Sequence, residues 1–145
     1  MMWVFKRPQF GDQIRVNRGL YYHHGIYRDD FCVYQFAVPG GKDIDPENAR
    51  VCICTLEDFL KGGEVEVREY TEEEKKVKRN PLQVIMYAQD HLGEAGYDVL
   101  RNNCEHFSNR CVFDGRQKTQ IDEIINNIME AIRKWDLALM LVELL

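Results

Sequence analysis

The stretch Asn102-Asn103-Cys104-Glu105-His106-Phe107 (NNCEHF) decides how this chain is read. Asparagine favours the position before a helix, because its side-chain oxygen accepts from the N–H groups that open the first turn. With Asn103 as the cap, Cys104 becomes the first residue of a helix running through EHFSNRCVF. There, unpaired N–H groups and the helix dipole favour a thiolate. A small apolar residue buried at a helix start would explain the cysteine equally well. On this pattern Cys104 is expected to be the most acidic of the five thiols, Cys32, Cys52, Cys54, Cys104 and Cys111.

A nucleophilic cysteine also needs a base, and the histidines are His23, His24, His91 and His106. His106 lies two residues along the same helix and points roughly 200° away from Cys104, so a structural role is expected for it. His91 falls in the last turn of a helix that starts at Asn80-Pro81, where the helix dipole favours a surface histidine. His23 and His24 are neighbours on a strand, so only one can face a given site. A hairpin loop of Arg28-Asp29-Asp30 would set His23 directly opposite Gln35, whereas a loop shorter by one residue would set His24 there. Spacing leaves that register open. In either pairing the Gln35 carboxamide can orient an imidazole whose other nitrogen faces the thiol.

Outward from these residues, strands are expected at 13–17, 21–27, 31–38, 51–54 and 64–70, where apolar and polar or β-rich residues alternate. Thr55 should cap the helix LEDFLK before Gly62-Gly63 stops it. TEEEKKVKR (71–79) reads as a solvated surface segment. Asn80-Pro81 starts a helix that Gly93 ends.

The 145 residues suit one domain with a single core. A net charge of −5 leaves no basic stripe for phosphates, so nucleic acid is not an expected partner. No stretch reaches the about 18 apolar residues of a membrane span, and MMWVFKRPQF lacks the apolar run of a signal peptide. A cytoplasmic location with reduced thiols is therefore expected. Cys52-x-Cys54 lacks the usual zinc spacer and alternates as a strand, so neither metal nor cofactor is expected.

Beyond these local readings, NCEHF resembles the cysteine motif of the lecithin:retinol acyltransferase and phospholipase A/acyltransferase family, within the wider NlpC/P60 group. GDQIRV followed by YYHHGIY resembles its histidine segment, and the order of histidine first and cysteine about eighty residues later agrees. The resemblance runs from Gly11 to about Ile125. It implies an α+β fold, a small antiparallel sheet packed against helices, related to papain by circular permutation. It also implies Cys104 as nucleophile, His23 as base and Tyr21 as a donor to the developing oxyanion. Gln35 falls where eukaryotic relatives carry a second histidine, and glutamine can orient His23 but cannot carry charge. The activity implied is acyl transfer through a Cys104 thioester from a lipid or other acyl substrate. An NlpC/P60-type peptidase or amidase, or a silent interaction module that retains the fold, are the alternatives.

A catalytic domain over 1–118 would then be followed by an amphipathic helix over 119–145. Its apolar positions, Ile121, Ile125, Ile128, Ile132 and Trp135, recur at helical spacing and call for burial on the domain or on a partner, with a homodimer as one outcome.

Overall fold

The structure, a computed structural model, describes residues 2–99, 102–113 and 120–143, with side chains described up to 113 and from 124 to 135. It is an α+β fold. Six strands are arranged as β1 (Met2–Phe5), β6 (Glu66–Glu69), β2 (Gln13–Asn17), β3 (Tyr22–Asp29), β4 (Cys32–Ala37) and β5 (Arg50–Cys54), every neighbouring pair antiparallel. The expected strands are present. The edge strand β1 was not anticipated, and it pairs with β6 from Met2 opposite Glu69 to Phe5 opposite Glu66.

Because strand side chains alternate, the two histidines part company. His23 lies opposite Val16 and His24 opposite Arg15 on β2. The hairpin register differs from both expected pairings: a β-bulge between Tyr27 and Asp29 shifts the ladder, so that Gly25 stands opposite Gln35. A bulge adds a residue to one strand and moves every later pair, which loop length alone could not reveal. His23 and Gly25 are two apart, so it is His23, of the two histidines left open by the spacing, that shares the face of Gln35. His23 becomes the diagonal neighbour of Gln35, a separation that long side chains bridge.

Each sheet face has its own core. One side gathers Ile14, Val16, Tyr27, Val33 and Val67 under Phe59 of α1 (Leu56–Leu60). Thr55 caps α1 as expected, accepting from the Asp58 N–H, and the chain leaves it through Lys61 and Gly62 at positive φ. The other side packs Ile26, Tyr34, Phe36 and Val51 against α3 (Pro81–Asp90) and α4 (Cys104–Val112), including Val84, Ala88, Phe107 and Cys111. Burying such side chains stabilises by roughly 1.5–3 kcal/mol each, so α4 is clamped to the sheet that carries both histidines.

A polar network fixes the same helix sideways. Arg68, buried on β6, donates to Gln13 Oε1 and Asn109 Oδ1, both at 3.0 Å, and pairs with Glu74. Gln13 in turn donates to Ser108 Oγ at 2.9 Å and to Asn109 Oδ1 at 2.7 Å. Glu74 belongs to α2 (Glu72–Val77), a capped helix inside the segment read as solvated, and none of its residues is buried. Removing one member of a buried charged network leaves the others unpaired.

The last element, α5 (Gln120–Glu143), is helical as expected. Ile121 lies outside the residues whose side chains are described. Ile125, Ile128, Ile132 and Trp135 are exposed, as are Ile124 and Met129, so this part of the stripe is not covered by the domain. Among the described residues no helix is long and apolar enough to cross a membrane.

Candidate functional site

Asn103 opens α4 as expected: its side-chain oxygen accepts from the N–H groups of Glu105 and His106, both at 3.0 Å. His106 answers with Nδ1, which accepts from the Asn103 N–H at 3.2 Å and completes a capping box. That is the structural role expected of His106. His91 caps α3 and stacks on Tyr87, away from the other histidines.

Cys104 is thereby held at the first turn of α4, buried, with the N–H groups of His24 and Glu105 directed at its sulfur. Those donors favour the thiolate, yet burial outweighs them and pushes the thiol up to about 12, aided by the carboxylates of Glu105 and Asp43. The expectation that Cys104 is the most acidic thiol is therefore not met. Burial raises all five, and Cys54 also reaches about 12. A helix start lowers a thiol only when solvent or a cation shares the site, and here the nearest charges are negative.

His23 is fully buried beneath the Phe59 ring, with centroids 5.0 Å apart. Its Nε2 lies 2.9 Å from Gln35 Oε1. The Gln35 amide nitrogen donates to Cys52 Sγ at 3.7 Å, which orients the carboxamide oxygen toward the imidazole. Nε2 must then carry the proton, leaving Nδ1 as the lone-pair nitrogen. Nδ1 is buried and has no hydrogen-bond partner among the described residues. Burial pulls the imidazole down to about 4, against the opposing pull of Asp43 and Gln35, so it is neutral at pH 7.

His24, on the opposite face, is buried with Nε2 3.6 Å from Glu105 Oε2 and its ring edge-on to Trp3. Burial holds it neutral too, with His23 and Arg15 adding to the effect.

Three residues join this site that the sequence did not reveal. Asp43, from the loop between β4 and β5, is buried and receives Arg18 Nε at 2.6 Å and the Tyr21 hydroxyl at 2.8 Å. The Tyr21 hydroxyl, expected to face an oxyanion, is committed to that carboxylate. Tyr97, in the segment leading to α4, takes the backbone N–H of Cys104 on its hydroxyl oxygen and packs edge-on against Phe36. Nothing periodic marks Asp43, Arg18 or Tyr97; each acts through a loop or a strand end. A cavity of 450 Å³ opens beside Gln35 and Asp43, bounded by Ile53, Cys54 and Lys61.

Phe59 links this site to stability. Truncating Phe59 to alanine should cost about 3–5 kcal/mol, since it empties the space over His23 and Gly25. Chemical denaturation would measure it. A loss below about 1 kcal/mol would mean that α1 collapses into the gap.

Cys104 at its helix start and the oriented His23 imidazole both border Asp43, whose charge acts on each of them. Comparison with known proteins bears on which family built it. Residues 6–117 match the family described as Lecithin retinol acyltransferase. The chain is 27% identical to lecithin retinol acyltransferase of Rattus norvegicus over 143 residues, 85% of this chain and 62% of that protein. It is 26% identical to the Mus musculus protein of that name over the same shares, and 33% identical to the Bos taurus one over 85 residues, 59% of this chain and 37% of that protein. The matched region thus spans less than two-thirds of the length of each of these relatives. With the family match running from before β2 through the end of α4, the chain belongs to the lecithin retinol acyltransferase family.

Proposed function

We propose that the protein is a thiol-dependent acyl-transfer enzyme acting on lipid esters. The observation that carries this reading is the His23 imidazole, tied to Gln35 through Nε2 and left with an unpartnered, buried Nδ1. The relatives' name, lecithin retinol acyltransferase, supports a phospholipid as acyl donor. Because both thiol and imidazole rest neutral, no preformed ion pair is needed. As Cys104 sulfur attacks the ester carbonyl, its proton passes to His23 Nδ1, which then protonates the departing alkoxide as the C–O bond breaks. The thioester is resolved when water, an alcohol or an amine gives its proton to Nδ1 and attacks the carbonyl; the C–S bond breaks and Nδ1 passes that proton to the sulfur, restoring the thiol and the neutral imidazole. The Tyr97 hydroxyl, which accepts the Cys104 N–H and keeps its own proton to donate, is freer than Tyr21 to meet the oxyanion.

Incubating the protein with lecithin vesicles, quenching in acid and weighing the intact chain tests this reading. An increment equal to one acyl chain, mapped to Cys104, is expected. The burial of Cys104 favours a second reading, a silent module with the same fold, and an unmodified chain after prolonged incubation would select it.

Gln35 acts in this scheme by orientation. Gln35→His and Gln35→Asn should retain measurable transfer, while Gln35→Ala should lose about tenfold or more, because the imidazole tautomer is no longer held. Equal rates for Gln35→Ala and the parent would remove Gln35 from the mechanism.

We assign residues 1–118 to the catalytic unit and the helix beyond to association. Residues 120–145 hold five acidic side chains against two basic ones, which opposes adhesion to anionic lipid and supports burial of the stripe against a second copy of the chain.

A further inference from the structure

We infer that Asp43 is a positioning residue of this site, supplying through His23 the negative charge that Gln35 cannot. The inference takes from the acyl-transfer reading that His23 serves the Cys104 thiol, and the geometry around Asp43 stands apart from it. Asp43 Oδ1 lies 3.6 Å from His23 Nε2, the nitrogen that also faces Gln35. The carboxylate is itself anchored: Arg18 reaches Oδ2 through Nε at 2.6 Å and Oδ1 through Nη2 at 3.5 Å. The Tyr21 hydroxyl donates to Oδ2 at 2.8 Å, and Lys61 Nζ stands 3.6 Å from Oδ1. Arg18 is fixed in turn by the carbonyls of Phe59 and Leu60. A carboxylate with only 3% of its side chain exposed, fixed by Arg18 and Tyr21, is thereby held with Oδ1 toward the neutral imidazole.

Its role follows from the proton's path. When Nδ1 takes the thiol proton, the ring becomes an imidazolium with Nε2–H still on the Gln35 oxygen. A neutral carboxamide gives that cation a hydrogen bond, and Asp43 gives it a counter-charge at close range in a dry site. Burial would push the Asp43 carboxyl up, but Arg18, His23 and Tyr21 hold it below the usual carboxylate range, so it is ionised at pH 7.

The sign of one rate separates this role from a structural one. Asp43 also lies near Cys104, where its charge disfavours the thiolate. If the carboxylate acted on sulfur alone, Asp43→Asn would alkylate faster with iodoacetamide. Acting through His23, it should alkylate about tenfold more slowly at pH 7, with Asp43→Glu recovering most of the rate. Cys104 is read by peptide mapping, so no acyl substrate is involved. An unchanged or faster rate in folded Asp43→Asn overturns the inference. In case that variant does not fold, nitrogen-15 spectra of the histidine rings of the unaltered protein at pH 7 give a second measurement. They should find the His23 proton on Nε2, and a proton on Nδ1 would overturn it equally. If the alkylation pattern holds but lecithin vesicles leave no acyl mass on Cys104, the role of Asp43 stands and the acyl-transfer reading falls.

Discussion

Replacing Cys104 with alanine should abolish the acyl adduct and lower acyl transfer by at least about three orders of magnitude, since one sulfur atom carries the covalent step. Stability should change by only about 1 kcal/mol, because the substitution removes one small buried atom and Asn103 still caps α4. Cys104→Ser is expected to be nearly as inactive. With its base at about 4, the site leaves the heavier part of deprotonation to the nucleophile, and a serine hydroxyl parts with its proton far less readily than a thiol. The two variants would be compared in the vesicle assay and by thermal unfolding. Turnover surviving in Cys104→Ala would end the thiol mechanism.

Acidification should weaken the fold before it touches most carboxylates. An unfolded His23 would titrate near 6.5, whereas the folded one resists protonation down to about 4. Its contribution is therefore complete above pH 6.5 and shrinks as pH falls toward 4, by about 3 kcal/mol in all. His24, held low by burial, adds loss in the same direction. Below that window, Asp43 and Glu74, whose carboxyls sit under their ordinary values, extend the decline. Against a total stability of about 5–15 kcal/mol, this is a large fraction. Urea unfolding at pH 7.5, 6 and 5 should show the midpoint falling steadily, with a shallower fall in His24→Phe. A midpoint constant across that range would mean that the histidines are solvated.

The chain showed its elements readily because their signals are local. Asn103, Asn80 and Thr55 each cap the helix expected of them, and alternation marked the strands. It put only one of His23 and His24 on the face of Gln35, and left open which. The bulge between Tyr27 and Asp29 depends on packing beyond the hairpin, so no count of loop residues could have found it. Asp43 was hidden for a related reason: it lies in the Pro39–Pro46 loop, and only the fold brings it to His23. The one hint was indirect, in that glutamine at position 35 cannot carry charge and leaves a counter-charge to come from elsewhere. Thiol acidity was misjudged because the NNCEHF motif states where the helix starts and not how dry that start is.

Two histidines in succession pose an addressing problem during folding. Had the hairpin closed one residue out of step, an imidazole would still have met Gln35, and the error would not have been evident from composition. Gly25 prevents this. A side chain there would lie 2.7 Å from the Phe59 ring and 2.8 Å from the Tyr34 carbonyl, and no other glycine occurs between Gly19 and Gly40. Slipping the strand either way would drive His24 or Ile26 into that ring, so a single residue without a side chain serves as the key that admits one alignment. Libraries that randomise this hairpin should treat position 25 as a fixed coordinate, because a methyl group there would meet the Phe59 ring and the Tyr34 carbonyl in the one alignment that turns His23 toward Gln35.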